Sequence, residues 1–125
     1  MKTNKPRILV VDDNVALGLA LKTGLNMSGF ETQTENNPSC ALQVARAFRP
    51  DLIVLDVCMP GMDGGSVAQT LRDQKDLAHI PIIFLTALYS KKDKARAQNN
   101  DEIFLAKPIG ITELVKTIEA QLAKK

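Results

Sequence analysis

Five residues of this chain carry side chains suited to handling a phosphoryl group, and each stands at or just beyond the end of a short apolar run. Asp12 and Asp13 follow Ile8–Val11, Asp56 follows Leu52–Leu55, Thr86 follows Ile82–Leu85, and Lys107 comes shortly after Ile103–Leu105. Carboxylates crowded together repel, so a hard divalent cation is needed to hold them ionised. Oxygen ligands too few to strip all of its waters suit Mg2+. A metal so placed bridges to a phosphate oxygen while Thr86 and Lys107 bind other oxygens of the same group. An ionised Asp then serves as nucleophile and carries an acyl phosphate. Taken singly these residues say little: an acid at a loop start is commonly a helix cap, and a Thr after a strand is mostly structural. All five lying at one edge of one sheet is what joins them into a single site.

That edge requires a particular set of elements. Ile8–Val11, Leu52–Leu55 and Ile82–Leu85 are continuously apolar, as expected of parallel strands covered on both faces. Phe30–Thr34 and Ile103–Leu105 complete the strand candidates. Between them the spacing predicts helices over Val15–Ser28, Ser39–Phe48, Gly65–Asp73, Ser90–Gln98 and Ile111–Ala123. In the last, Ile111, Leu114, Val115, Ile118 and Leu122 share one stripe. Gly29 is placed to end the first helix. Gly18 and Gly24 lie inside it, each costing about 1 kcal/mol relative to Ala, and are read as allowing close packing on the sheet. Five βα units imply right-handed crossovers and a doubly wound α/β domain with a parallel sheet. Ligands of such sheets bind beyond the carboxyl ends of the strands, where the five residues fall.

The 125 residues suit one domain, and 45% hydrophobic with 24% charged residues excludes a disordered chain. A net charge of +2, with acids spread among the lysines, lacks the basic stripe of a nucleic-acid binder. The two cysteines, Cys40 and Cys58, match neither a disulfide framework nor a metal spacing. No apolar run reaches the ~18 residues of a membrane span, and Met1–Arg7 lacks the features of a signal peptide, so a cytoplasmic location is expected.

With these motifs in order, the chain resembles the receiver domain of two-component response regulators, the CheY-like family, over essentially its whole length. The likeness is carried by Ile8–Asp13, Asp51–Asp56, Met59–Gly64, Leu85-Thr86-Ala87 and Lys107-Pro108. The resemblance implies a flavodoxin-like (βα)5 fold with strand order 2-1-3-4-5 and a single receiver domain over 1–125. Residues 1–6 would be an N-terminal extension, and no output domain lies within this chain. It implies Asp56 as phosphoacceptor, with Mg2+ held by Asp13, Asp56 and the backbone carbonyl of Cys58, and by Asp12 mainly through water. Thr86 would hydrogen-bond the phosphate, Lys107 would pair with it, and the Lys107–Pro108 peptide would be cis. On phosphorylation Thr86 would move inward and Phe104 would fill the vacated space. This would change the surface formed by Ser90–Gln98, Ile103–Leu105 and Ile111–Ala123. The implied partners are a histidine kinase or histidine phosphotransfer protein upstream, and a target protein or output domain downstream. The implied state is a monomer or a phosphorylation-dependent dimer, with no direct contact to nucleic acid or membrane.

Departures from the family pattern are Asn99-Asn100 before the fifth strand, where Gly-Ala is common, and Leu88 two residues after Thr86. Apolar Leu88 is expected to hinder hydrolytic water and lengthen the phosphorylated lifetime. Other chemistries fit less well. A haloacid-dehalogenase-type phosphatase needs a second Asp where Cys58 stands, and a cysteine phosphatase needs an Arg where Gly64 stands. His79, the single histidine, is read as a loop residue and not a phosphodonor. Cys40 is read as a helix-surface or core residue, and Met59 and Met62 as packing residues of the loop after Asp56. A receiver-like module that works without phosphorylation is the remaining alternative.

Overall fold

The computed structural model describes residues 5–56, 64–86, 103–106 and 110–123. In chain order the elements are β1 (Arg7–Val11), α1 (Val15–Met27), β2 (Glu31–Glu35), a 3-10 turn (Pro38–Cys40), α2 (Ala41–Phe48), β3 (Leu52–Asp56), α3 (Gly64–Arg72), β4 (Ile82–Thr86), β5 (Ile103–Ala106) and α4 (Ile111–Ala123). The strands form one five-stranded parallel sheet in the order β2-β1-β3-β4-β5. Both the doubly wound architecture and the strand order agree with expectation. The helix expected over Ser90–Gln98 lies outside the described residues.

Side chains alternate across a strand, so continuously apolar strands serve two cores. Leu9, Val11, Ile53, Leu55, Ile82 and Phe84 pack on one face with Ala41, Ala45, Val67 and Leu71 of α2 and α3. Ile8, Val10, Leu52, Val54, Ile83 and Leu85 pack on the other with Leu21, Leu25, Leu114 and Ile118 of α1 and α4. Each fully buried Leu or Ile stabilises the fold by roughly 1.5–3 kcal/mol of transfer free energy. The two cores therefore clamp β1, β3 and β4 in place and fix where their carboxyl ends lie.

Local signals explain the ends of the elements. The Asn14 side chain accepts a hydrogen bond from Leu17 N and caps α1. Gly29, at φ 100°, turns the chain out of that helix as expected. Phe30 N then donates to Leu25 O at 3.1 Å, so Phe30 closes the helix end, and β2 begins one residue later than the sequence suggested. The helix expected from Ser39 starts as the 3-10 turn and becomes α-helical at Ala41.

The two helix glycines differ. A Cβ on Gly24 would stand 2.6 Å from Ile111 Cγ1, so this glycine lets α1 approach α4. The expectation that it serves packing on the sheet is corrected: the close partner is a helix. A Cβ on Gly18 would meet nothing nearer than Asn36 Nδ2 at 3.6 Å, an ordinary contact beside the end of β2.

Candidate metal and phosphoryl site

Register places the acids. Val11 pairs with Leu55, so the residues that follow, Asp12 and Asp56, reach the carboxyl edge on neighbouring strands. One ligand oxygen from each of Asp12, Asp13 and Asp56 lies within 4.8 Å of the others. Asp12 and Asp56 are buried, at 1% and 2% exposure, while Asp13 is exposed. The cluster is therefore rooted in the protein and open on one side.

Asp12 is held in a loop of hydrogen bonds. Its backbone N donates to Glu35 O at 3.0 Å, and Asn36 Nδ2 donates to its carbonyl at 2.9 Å. Its Oδ1 accepts from Asn14 N at 2.9 Å. Asn14, and neither Asp12 nor Asp13, is the cap of α1, which leaves the helix-cap explanation of the two acids without support. Asn14 and Asn36 were not among the site residues read from the sequence. Asn14 carried a signal, being a capping residue type just before a helix. Asn36 follows the end of β2, a largely polar strand with no apolar run to mark its carboxyl end.

The other expected residues are placed to different degrees. Asp56 pairs with Leu85 in the backbone register, so Thr86 ends β4 one residue further along. Thr86 in turn pairs with Ala106, directly before Lys107, and Phe104 pairs with Phe84. Lys107, Pro108, Cys58 and Leu88 lie outside the described residues, as do Met59, Met62, Asn99 and Asn100. His79 is exposed in the turn region between α3 and β4, as expected of a loop residue.

The donor set fits a hard cation. Two like charges about 5 Å apart repel by roughly 3 kcal/mol at an effective dielectric of 20, so three carboxylates in one place call for compensating positive charge. Oxygen donors in this number suit Mg2+, which keeps part of its hydration shell.

The profile described as the response regulator receiver domain matches residues 8–119. The chain belongs to this receiver family. Among its relatives, the polar-differentiation response regulator DivK of Brucella anthropi is 35% identical over 92% of this receiver and 94% of its own length. The transcriptional regulatory protein PrrA of Mycobacterium leprae is 38% identical over 98% of this receiver, which spans 52% of that protein. Probable transcriptional regulator ycf27 of Cyanophora paradoxa behaves likewise, at 38% identity, so the receiver spans about half the length of these two relatives. Among solved structures, the Francisella response regulator 1452 receiver domain superposes with a TM-score of 0.85 at 30% identity, covering 96% of this chain and 98% of that one. Vibrio cholerae chemotaxis protein CheY4 gives 0.83 at 29% identity, covering 93% and 98%. Receivers of this family are signalling domains that accept a phosphoryl group with Mg2+ at an acidic pocket, and they work between histidine kinases and output domains. Among the described residues, no helix is long and apolar enough to cross a membrane.

Proposed function

We propose that this receiver stores a signal as an acyl phosphate on Asp56, and the observation that carries the reading is the Asp12, Asp13 and Asp56 cluster at the carboxyl edge. An Asp56 carboxylate oxygen attacks phosphorus, forming an O–P bond as the P–N bond of a donor phosphohistidine breaks. The freed imidazole leaves with the electron pair. Asp13, Asp56 and the backbone carbonyl of Cys58 would hold Mg2+, with Asp12 acting mainly through water, and the ion would supply charge neutralisation for the phosphoryl oxygens. Lys107 pairs with one of those oxygens and the Thr86 hydroxyl binds another.

One feature of the fold supports Asp56 as the nucleophile: it ends the central strand, clamped between two cores, so its position is stiff. Asp12, in the same cluster, has Oδ1 fixed by Asn14 N, which orients its carboxylate. The donor is a histidine kinase or histidine phosphotransfer protein, and the reader is a target protein or output domain. Thr86 and Phe104 act as the switch, coupled to the surface built by Ser90–Gln98, Ile103–Leu105 and Ile111–Ala123. Residues 1–125 act as one receiver domain in the cytoplasm, as a monomer or a phosphorylation-dependent dimer, without direct nucleic-acid contact. Leu88 slows hydrolysis of the acyl phosphate, and Leu88→Asn is expected to shorten its lifetime.

The test is intact-mass spectrometry after incubation with acetyl phosphate, with and without Mg2+. A single phosphoryl adduct is expected in wild type with Mg2+, and none in Asp56→Asn. No adduct on folded wild-type protein would instead identify an interaction module that works without phosphorylation.

A further inference from the structure

The amino-terminal edge of the sheet, opposite the acid cluster, holds a cavity of about 500 Å3 lined by Arg46, Arg49, Pro50, Asp76, Leu77, His79 and Ile80. From this cavity we propose a second ligand site, which takes a phosphate monoester of nucleotide size. The volume suits such a ligand. Cavities of roughly 300–1,000 Å3 accommodate small organic ligands, whereas a bare anion needs far less space.

The lining suits it as well. Pro50, Leu77 and Ile80 are buried and provide an apolar floor, while Arg46, Arg49 and His79 are exposed at the rim. Arg46 spends Nε on Asp76 at 3.3 Å and bonds Gln74 Oε1 through a second nitrogen, which holds its guanidinium in place with donors to spare. Arg49 forms no ion pair with any described residue. It is also the one non-glycine residue with positive φ among those described, at φ 55° and ψ 63°, where it closes α2 ahead of Pro50. Arg46, fixed by its neighbours, and Arg49, without an ion pair among the described residues, line the same cavity, and each guanidinium offers the forked donors that bind phosphate. Asp76 is absorbed by Arg46, so the charge offered to a ligand is that of Arg49.

The site would be a second input, separate from the acid cluster because the strands run from one edge to the other. The experiment is an amide NMR titration of the full chain without Mg2+, at constant ionic strength, with AMP, adenosine and inorganic phosphate in turn. AMP is expected to shift the amides of Arg46, Arg49 and Leu77–Ile80 saturably and to bind at least about tenfold tighter than either other probe. Arg49→Gln, and separately Arg46→Gln, should weaken AMP by about tenfold or more while the remaining spectrum stays folded. The proposal is overturned by any of four results. These are no saturable shift up to about 10 mM, equal binding of adenosine or phosphate, shifts centred on Asp12 and Asp56, or affinity unchanged in both variants.

Discussion

At the carboxyl edge of the sheet, Asp12, Asp13 and Asp56 bring three charges of one sign together, and the two innermost are almost fully buried. At the amino edge, Arg7 and Arg46 each face an acid, Glu31 at 3.6 Å and Asp76 at 3.3 Å, and all four side chains are about half exposed. Arg7 is further tied by Nη1 to Phe48 O at 2.9 Å and stacks 5.7 Å above the Phe48 ring. One edge thus gathers acids where water is scarce; the other sets the Arg7–Glu31 and Arg46–Asp76 pairs in solvent, with Arg49 near them. The first arrangement costs stability unless positive charge offsets it, which is the usual condition of a functional site. The second is roughly neutral to stability.

Removing chemistry from the carboxyl edge should produce the largest effect. Asp56→Asn keeps the shape of the side chain and is expected to abolish the acetyl-phosphate adduct outright, as read by intact mass. An adduct of undiminished yield would place the acceptor elsewhere. Next comes the support beneath the acids. Asn36→Ala removes the donor to the Asp12 carbonyl and should lower unfolding free energy by about 1–3 kcal/mol in urea, with weaker Mg2+ binding by calorimetry. If Mg2+ affinity is unchanged, Asn36 serves the fold and not the site.

A smaller effect carries the more informative sign. Asp13→Asn is isosteric at an exposed position and relieves like-charge repulsion within the cluster. In low salt without Mg2+ it should raise stability by on the order of 1 kcal/mol. With saturating Mg2+ the order should reverse, because the ion binds the folded wild type more tightly and stabilises it by mass action. Thermal unfolding of both proteins, with and without Mg2+, reads the crossover. Stability lowered in both conditions would mean that the acids are not mutually strained.

How much of this was legible beforehand follows from where each signal resides. The inner strands β1, β3 and β4 announced themselves because burial on both faces demands unbroken apolar runs, and reading the residue after each one located Asp12, Asp13 and Asp56. The edge strand β2, Glu31–Glu35, is largely polar, so its bounds slipped by one residue and Asn36 beyond it went unnoticed. Gly24 was recognised as unusual, but its partner Ile111 is distant in sequence and no local pattern joins them. The cavity beside Arg49 was likewise hidden, since it is made by the end of α2 meeting the turn before β4. Periodicity reports which face of an element is buried; it does not report which two elements touch.

The smallest effect is expected at the amino edge. Arg46→Ala breaks the pair with Asp76 and the bond to Gln74, both in solvent, and leaves no buried charge behind. Exposed pairs of this kind contribute about 0.2–1 kcal/mol, so the urea midpoint should fall slightly and the loss should shrink further in high salt, which screens it. The direction is opposite to that of Asp13→Asn without Mg2+: removing charge from the paired edge destabilises, and removing it from the crowded edge stabilises. A double variant carrying both changes should show additive free energies, since the edges lie at opposite ends of the strands and share no partner among the described residues. Coupling beyond about 0.5 kcal/mol would show that the sheet transmits charge between its ends, and the two edges would then have to be treated as one electrostatic unit.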